Sequence, residues 1–208
     1  MLSRNYLEDK NKIIIIDFGS QVTKLIARRI RDLRVYCEIL NLREFEKLKN
    51  FDEIKGIILS GGPSTVTKKT YPKISKKIFE KKIPVLGICY GLQLIAKIFG
   101  GKIKNSQKKR EFGEAILIEK SKSKLFKNFY IKKKSKVWMS HEDAVSKLPK
   151  NFQNIASTIN SKYTAIEHKK KNIFGIQFHP EVTHTEKGEK IIENFVLKIC
   201  KIKKNWLI

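Results

Sequence analysis

The hydrophobic positions fall into two regimes along the chain. In the first half, short wholly apolar runs end in glycine or small polar residues and are followed by segments apolar on one helical face. Ile13-Ile14-Ile15-Ile16, closed by Asp17-Phe18-Gly19-Ser20, reads as a strand buried on both faces, as in a parallel sheet. Val22, Leu25, Ile26, Ile30 and Leu33 then form a helical stripe, with Arg28, Arg29 and Arg31 interspersed. Val35 to Leu40 predicts a second strand, Gly56 to Ser60 a third that ends in Gly61-Gly62-Pro63, and Pro72 to Lys81 a helix. Pro84-Val85-Leu86-Gly87-Ile88-Cys89 is again apolar, and Leu92, Ile95, Ala96 and Phe99 repeat at helical spacing until Gly100-Gly101 stops the helix.

The second half changes character. Glu114 to Glu119, Lys136 to Ser140, Ile155 to Ile159, Tyr163 to His168 and Asn172 to Phe178 are short strands without long helices between them. They predict antiparallel additions to the central sheet or a small flanking sheet. A last helix carries Ile192, Phe195, Val196 and Ile199 on one face. The expected class is α/β: a doubly wound, mostly parallel central sheet flanked by helices, with additional antiparallel strands in the second half. No internal repeat or Pro/Ser-rich linker interrupts the 208 residues, which suit one domain.

Composition narrows the class. Apolar residues make up 41% and charged residues 31%, which excludes a disordered tail. No apolar run approaches the ~18 residues of a spanning helix, so no membrane association is expected. The polar opening MLSRNYLEDKNK lacks the apolar stretch of a signal peptide, and a cytoplasmic location is expected. The net charge of +25 raises the possibility of a basic nucleic-acid-binding protein. Only seven of the 45 basic residues are arginines, however, and the lysines are scattered in pairs and triplets such as Lys68-Lys69 and Lys132 to Lys134. Solvated surface explains that pattern better, and no nucleic acid is expected as a partner. Cys37, Cys89 and Cys200 stand far apart, which fits neither a zinc ribbon nor a disulfide framework. No metal site is expected.

Chemistry concentrates at Gly87-Ile88-Cys89-Tyr90-Gly91, where an apolar strand gives way to an amphipathic helix. This is the context of a nucleophile elbow, with sulfur as the nucleophile. Small neighbours let the tight turn close, and the helix N-terminus favours a thiolate. The Tyr90 N–H would then serve an oxyanion. A thiol nucleophile needs a base, and the base an orienting group. The strand Ile173 to Phe178 ends in His179-Pro180-Glu181, and alternation places His179 and Glu181 on one side. Ser60-Gly61-Gly62-Pro63 sits at a strand's C-terminal end, where Gly61 and Gly62 can present N–H groups. Gln93, one turn beyond Cys89, faces a polar substrate. Trp138 to Asp143 is a substrate rim in which His141 competes with His179 as base, and Glu181 decides for His179. Cys37 and Cys200 read as packing residues, His168 beside its lysine run as exposed, and His184 as near Glu181 without an assigned role.

Together, Gly87 to Gln93, Phe178-His179-Pro180-Glu181 and Ser60-Gly61-Gly62-Pro63 resemble the triad-type glutamine amidotransferases. Asp17 to Gln21, Ile26-Ala27-Arg28-Arg29, Arg110-Glu111-Phe112-Gly113, Trp138 to His141 and His179 to Thr185 narrow the likeness to the glutaminase domains of GMP synthases. The resemblance implies hydrolysis of L-glutamine by Cys89, His179 and Glu181. It implies an oxyanion hole of backbone groups at Gly61, Gly62 and Tyr90, and glutamine binding by Gln93, Ser140 and His141. The ammonia would aminate XMP to GMP in an ATP pyrophosphatase partner; ATP and Mg²⁺ belong there, and no cofactor is expected in this chain. An amidotransferase subunit of another biosynthetic synthase is the alternative. The resemblance also implies a division into an N-terminal extension (1–12), the glutaminase domain (13–200) and the start of a linker (201–208), in a fragment or separate subunit. The synthetase's S-G-G-x-D-S loop is absent, and Glu142 stands where relatives carry Gly.

Overall fold

The computed structural model describes residues 10–105, 111–204 and 206; Arg110 and most of the residues expected to form an N-terminal extension lie outside them. The chain opens with strand β1 (Lys12–Asp17), helix α1 (Thr23–Asp32), β2 (Cys37–Asn41), α2 (Leu42–Glu46), β3 (Ile54–Leu59), β4 (Val85–Ile88) and α3 (Tyr90–Ile98). It continues through β5 (Lys102–Asn105), β6 (Glu111–Glu119), β7 (Lys134–His141), β8 (Asp143–Lys147), β9 (Phe152–Ser157), β10 (Ala165–His168), β11 (Ile173–Ile176) and α4 (Gly188–Glu193). One nine-stranded sheet runs β2-β1-β3-β4-β11-β10-β9-β6-β7, and β5 pairs with β8 beside it. Strands β2, β1, β3, β4 and β11 are parallel, whereas β10, β9, β6 and β7 continue the sheet antiparallel. Both expected additions are therefore present, an antiparallel extension and a small separate ribbon.

The isoleucine run explains the centre of the sheet. Ile13 and Ile15 join the core on one face, with α1 and the C-terminal helix. Ile14 and Ile16 join the other, with α3. All four are fully buried because adjacent strand residues point to opposite faces and both are covered. The parallel strands end at one edge, so the loops after β1, β3, β4 and β11 converge there, as in other open α/β sheets.

Three expectations need correction. The helix expected over Pro72 to Lys81 is one short 3₁₀ turn, Lys76–Glu80, started by Ser75, whose hydroxyl accepts from the Lys77 N–H. Strand β11 stops at Ile176 rather than Phe178, because the chain bends at Gln177 and Phe178. The last helix holds Ile192, Phe195, Val196 and Ile199 in the core as expected, but it continues past α4 as a π-helical segment, Asn194–Ile199. Helix α2 carried a readable signal. Asn41 accepts from the Glu44 N–H at 3.0 Å, and Glu44 returns a 2.8 Å bond to the Asn41 N–H, a capping box.

Packing beneath the Cys89 turn is tight. A side-chain carbon at Gly87 would overlap the backbone of Gly91, and one at Gly91 would overlap the Leu59 carbonyl on β3. Gly91→Ala is therefore expected to destabilise the fold by about 1–3 kcal/mol through overpacking, measured as a lower urea midpoint.

Candidate active site

Cys89 is the hinge between β4 and α3. Its N–H still pairs with the Ile176 carbonyl at 2.8 Å, prolonging the ladder to β11. Its own φ of 53° and ψ of −104° then redirect the chain into α3. That left-handed φ is strained for a residue with a Cβ, and the flanking glycines supply the clearance that holds it. Tyr90, the first helical residue, has an N–H without an intrahelical acceptor. Its hydroxyl is tied to the Pro72 carbonyl at 2.5 Å, so the residue after the thiol is fixed at both ends.

His179 and Glu181 come together across Pro180. His179 Nδ1 lies 2.7 Å from Glu181 Oε1, and both side chains are almost wholly buried. Their closeness does not come from strand alternation, since both lie beyond the end of β11. A local clamp holds the loop instead. The Thr185 hydroxyl donates to the His179 carbonyl at 2.6 Å and accepts from the Trp138 N–H at 3.0 Å, while the His179 N–H donates to the Trp138 carbonyl at 3.1 Å. Arg29 on α1 adds a bond from Nε to the Glu181 carbonyl at 3.2 Å. Burial pulls His179 down. Hydrogen bonds with Cys89 and Glu181, and the charges of both, outweigh it and leave the imidazole raised to about 10.

Gly61 is wedged against the same groups. A carbon added there would stand 3.2 Å from His179 Cε1 and 3.6 Å from Cys89 Cβ. Two adjoining cavities, of about 550 and 350 Å³, share Gly62, Pro63, Cys89 and Ser140 in their walls. The larger also reaches Tyr90, Gln93 and Glu142, and the smaller reaches Ser20 and His179. A thiol with an imidazole and a carboxylate behind it, facing a cavity walled by a Gly-Gly loop and a helix N-terminus, can carry out acyl transfer.

Alternation along β7 and β8 sorts the substrate rim. Ser140 and Glu142 are exposed, while His141 and Asp143 point inward. His141 reaches the cavity wall, but both ring nitrogens face protein oxygens: Nδ1 the Asp143 carbonyl at 3.0 Å, Nε2 the Glu111 carboxylate at 3.2 Å. It is built into the wall, its ring held between Asp143 and Glu111. Gln93 is also on the wall, and its amide nitrogen donates inward, to the Asp143 carbonyl at 2.9 Å and to Gln177 Oε1 at 3.4 Å. Ser140 contacts the thiol through its carbonyl, 3.7 Å from Cys89 Sγ.

Sequence reasoning missed Glu111, which also accepts from the Thr158 hydroxyl at 2.7 Å, and Gln177, 3.5 Å from the thiol. Only pairing between distant segments reveals either. His168 is a correction. It is buried, with its ring between Phe99 and Phe152, and its Nδ1 accepts from the N–H groups of Lys170 and Lys171. The neighbouring lysines point out while the histidine points in. His184 is exposed and lies against Trp138, with centroids 4.4 Å apart and the rings tilted by 36°.

Cys37 and Cys200 are packing residues as expected. Burial pushes the Cys37 thiol up to about 11, partly countered by Arg31, and burial pushes Cys200 up further. Brief iodoacetamide treatment near neutral pH is therefore expected to modify Cys89 and spare both, as read by peptide mass spectrometry. Comparable labelling of all three would remove the special status of Cys89.

The model of the class-I glutamine amidotransferase family matches residues 14–199. GMP synthase (glutamine-hydrolysing) of Brachyspira hyodysenteriae is 50% identical over 197 residues, which is 94% of this chain and 38% of that protein. The enzyme of the same name from Spiroplasma kunkelii is 50% identical over 203 residues, 97% of this chain and 39% of that protein. The chain thus spans less than half the length of these curated relatives. Among solved structures, a Thermoplasma acidophilum protein described as a candidate GMP synthase subunit superposes with a TM-score of 0.77 at 31% identity, covering 92% of this chain and 94% of its own.

Proposed function

The chain belongs to the class-I glutamine amidotransferases, and from that premise we propose that it is the glutamine-hydrolysing component of a GMP synthase. The observation that carries the reading is the buried 2.7 Å His179–Glu181 pair hydrogen-bonded to a thiol held at positive φ on a helix N-terminus.

With His179 raised to about 10, the imidazole holds its proton at neutral pH beside the Cys89 sulfur. Cys89, as thiolate, adds to the side-chain amide carbon of L-glutamine. Negative charge then develops on the amide oxygen, where N–H groups of Tyr90 and the Gly61-Gly62 loop are assigned to receive it; one such donor is worth about 3–4 kcal/mol. His179 protonates the departing nitrogen, the C–N bond breaks, and ammonia leaves a γ-glutamyl thioester. Once sulfur is acylated its charge no longer supports the imidazolium, and the neutral ring takes a proton from the attacking water. Water displaces sulfur, giving glutamate and the free thiol. Such proton transfers contribute roughly 10²–10⁴-fold. Glu181 fixes the tautomer and steadies the charged ring.

We assign L-glutamine binding to the cavity wall at Gln93, Ser140 and His141, with Ser140 the exposed member and the other two shaping the wall. The ammonia is assigned to an ATP-dependent synthetase domain or subunit that aminates XMP, and ATP and Mg²⁺ chemistry belongs to that partner. Residues 13–200 form the glutaminase domain in this reading, and the tail leads toward the partner. Ile202 is buried, and Trp206 stacks on Tyr36 at 5.0 Å, so the described tail follows the domain surface. No helix of the described residues is long and apolar enough to cross a membrane, and the setting proposed is the cytoplasm.

Ammonia release from L-glutamine, measured with and without the synthetase, XMP, ATP and Mg²⁺, tests the reading. Glutamine-dependent release that the complete mixture accelerates supports it. No release in either mixture contradicts it.

A further inference from the structure

Gln177 touches the thiol from the protein interior. The residue is 1% exposed and appears in the wall of neither cavity that meets Cys89. Its backbone N–H is anchored to the Thr164 carbonyl at 2.8 Å, and its side-chain nitrogen lies 3.5 Å from Cys89 Sγ. The orientation of its amide is fixed by a chain of partners. The Asp143 carbonyl accepts from Gln93 Nε2 at 2.9 Å, so Gln93 presents a donor toward Gln177. Only the oxygen of Gln177 can answer that donor, and it does so at 3.4 Å. The nitrogen is left facing sulfur; the flipped amide would set two donors against each other.

We propose that Gln177 is a further catalytic residue, an amide donor that stabilises the thiolate of Cys89 from the protein interior. An N–H donor in a buried setting favours a charged acceptor well over a neutral one. The Ser140 carbonyl, 3.7 Å from Sγ, has the opposite preference, since it can accept from S–H but offers nothing to S⁻. Gln177 therefore biases the sulfur toward its attacking form without occupying substrate space. The same amide couples the nucleophile to Gln93 and so to the cavity wall. Other titratable groups frame the thiol: His179 and Glu181 after β11, His141, Glu142 and Asp143 along β7–β8, Glu111 on β6 and Lys68 across the cavity.

The inference rests on Cys89 being the nucleophile, and iodoacetamide alkylation of the full chain separates the two ideas. Rates at Cys89 are measured by peptide mass spectrometry at about pH 6 and about pH 10 for the unsubstituted chain and Gln177→Leu. Loss of a hydrogen bond to a charged group predicts a rate at the lower pH that falls about tenfold to hundredfold, with little change at the higher pH. Equal rates at both pH values overturn the proposal, and so does an equal fall at both, which marks a residue that merely packs or controls access. If Gln177→Leu does not fold, which labelling of Cys37 and Cys200 would reveal, the near-isosteric Gln177→Glu replaces it. Its carboxylate opposes the thiolate, so a still larger loss at the lower pH is expected and an unchanged rate contradicts the proposal. If Cys89 in the unsubstituted chain reacts no faster than Cys37 and Cys200 at the lower pH, the nucleophile assignment itself fails, and the role of Gln177 with it.

Discussion

Cys89→Ala is expected to reduce glutamine hydrolysis by on the order of 10⁴-fold or more, because it removes the sulfur proposed to carry the acyl intermediate. Cys37 and Cys200 lie in the hydrophobic core and do not line either cavity at Cys89. His179 would remain beside Glu181, but with no sulfur to share its proton. Alanine accepts the same backbone strain at φ 53° as cysteine does, so the elbow should survive the change. Thermal melting should therefore stay close to that of the unsubstituted chain, and glutamine should still bind. Cys89→Ser is expected to be nearly as inactive, since a hydroxyl gives up its proton far less readily than a thiol. Retention of full hydrolysis by Cys89→Ala would show that the nucleophile lies elsewhere.

His179→Ala is expected to lower turnover by roughly 10²–10⁴-fold, the usual worth of a positioned proton donor and acceptor. Cys89 should also alkylate more slowly near neutral pH, because the cation beside the sulfur is gone. Glu181→Gln is expected to be milder and to shift the pH profile. The sign follows from the two causes that raise His179 toward 10, its contacts with Cys89 and with Glu181. Protonation of the departing nitrogen requires the imidazolium, so activity falls as pH rises through the His179 value. Removing the carboxylate charge lowers that value, and the alkaline limb of the profile should move to lower pH. Initial rates across the pH range check this, and an unmoved limb would mean that Glu181 does not act through His179.

The parts of the fold that were legible in the sequence are those set by local periodicity. Ile13 to Ile16 announced a strand buried on both faces because four adjacent β-branched residues suit little else. The glycines around Cys89 announced the elbow because the turn needs their missing side chains. His179 and Glu181 were found by spacing, although the cause is the Thr185 clamp rather than an extended strand. What stayed hidden depends on pairing between distant segments. Gln177 and Cys89 are separated by 88 positions, and Glu111 and His141 by 30. His168 was misread because its sequence neighbours are lysines, whereas its packing partners Phe99 and Phe152 come from elsewhere in the chain. A small flanking sheet is among the expected alternatives, but its strands β5 and β8 are short and largely polar, and they find each other only in the folded chain.

Covalent labelling by an electrophilic glutamine analogue, such as a chloromethyl ketone, probes nucleophile, base and glutamine pocket in one measurement. It requires the thiolate, the imidazole and a glutamine-shaped cavity at the same place. A single adduct is expected on the peptide containing Cys89, formed in proportion to lost activity and prevented by excess L-glutamine. An adduct elsewhere, or labelling of Cys89 that L-glutamine does not slow, would contradict the proposed function.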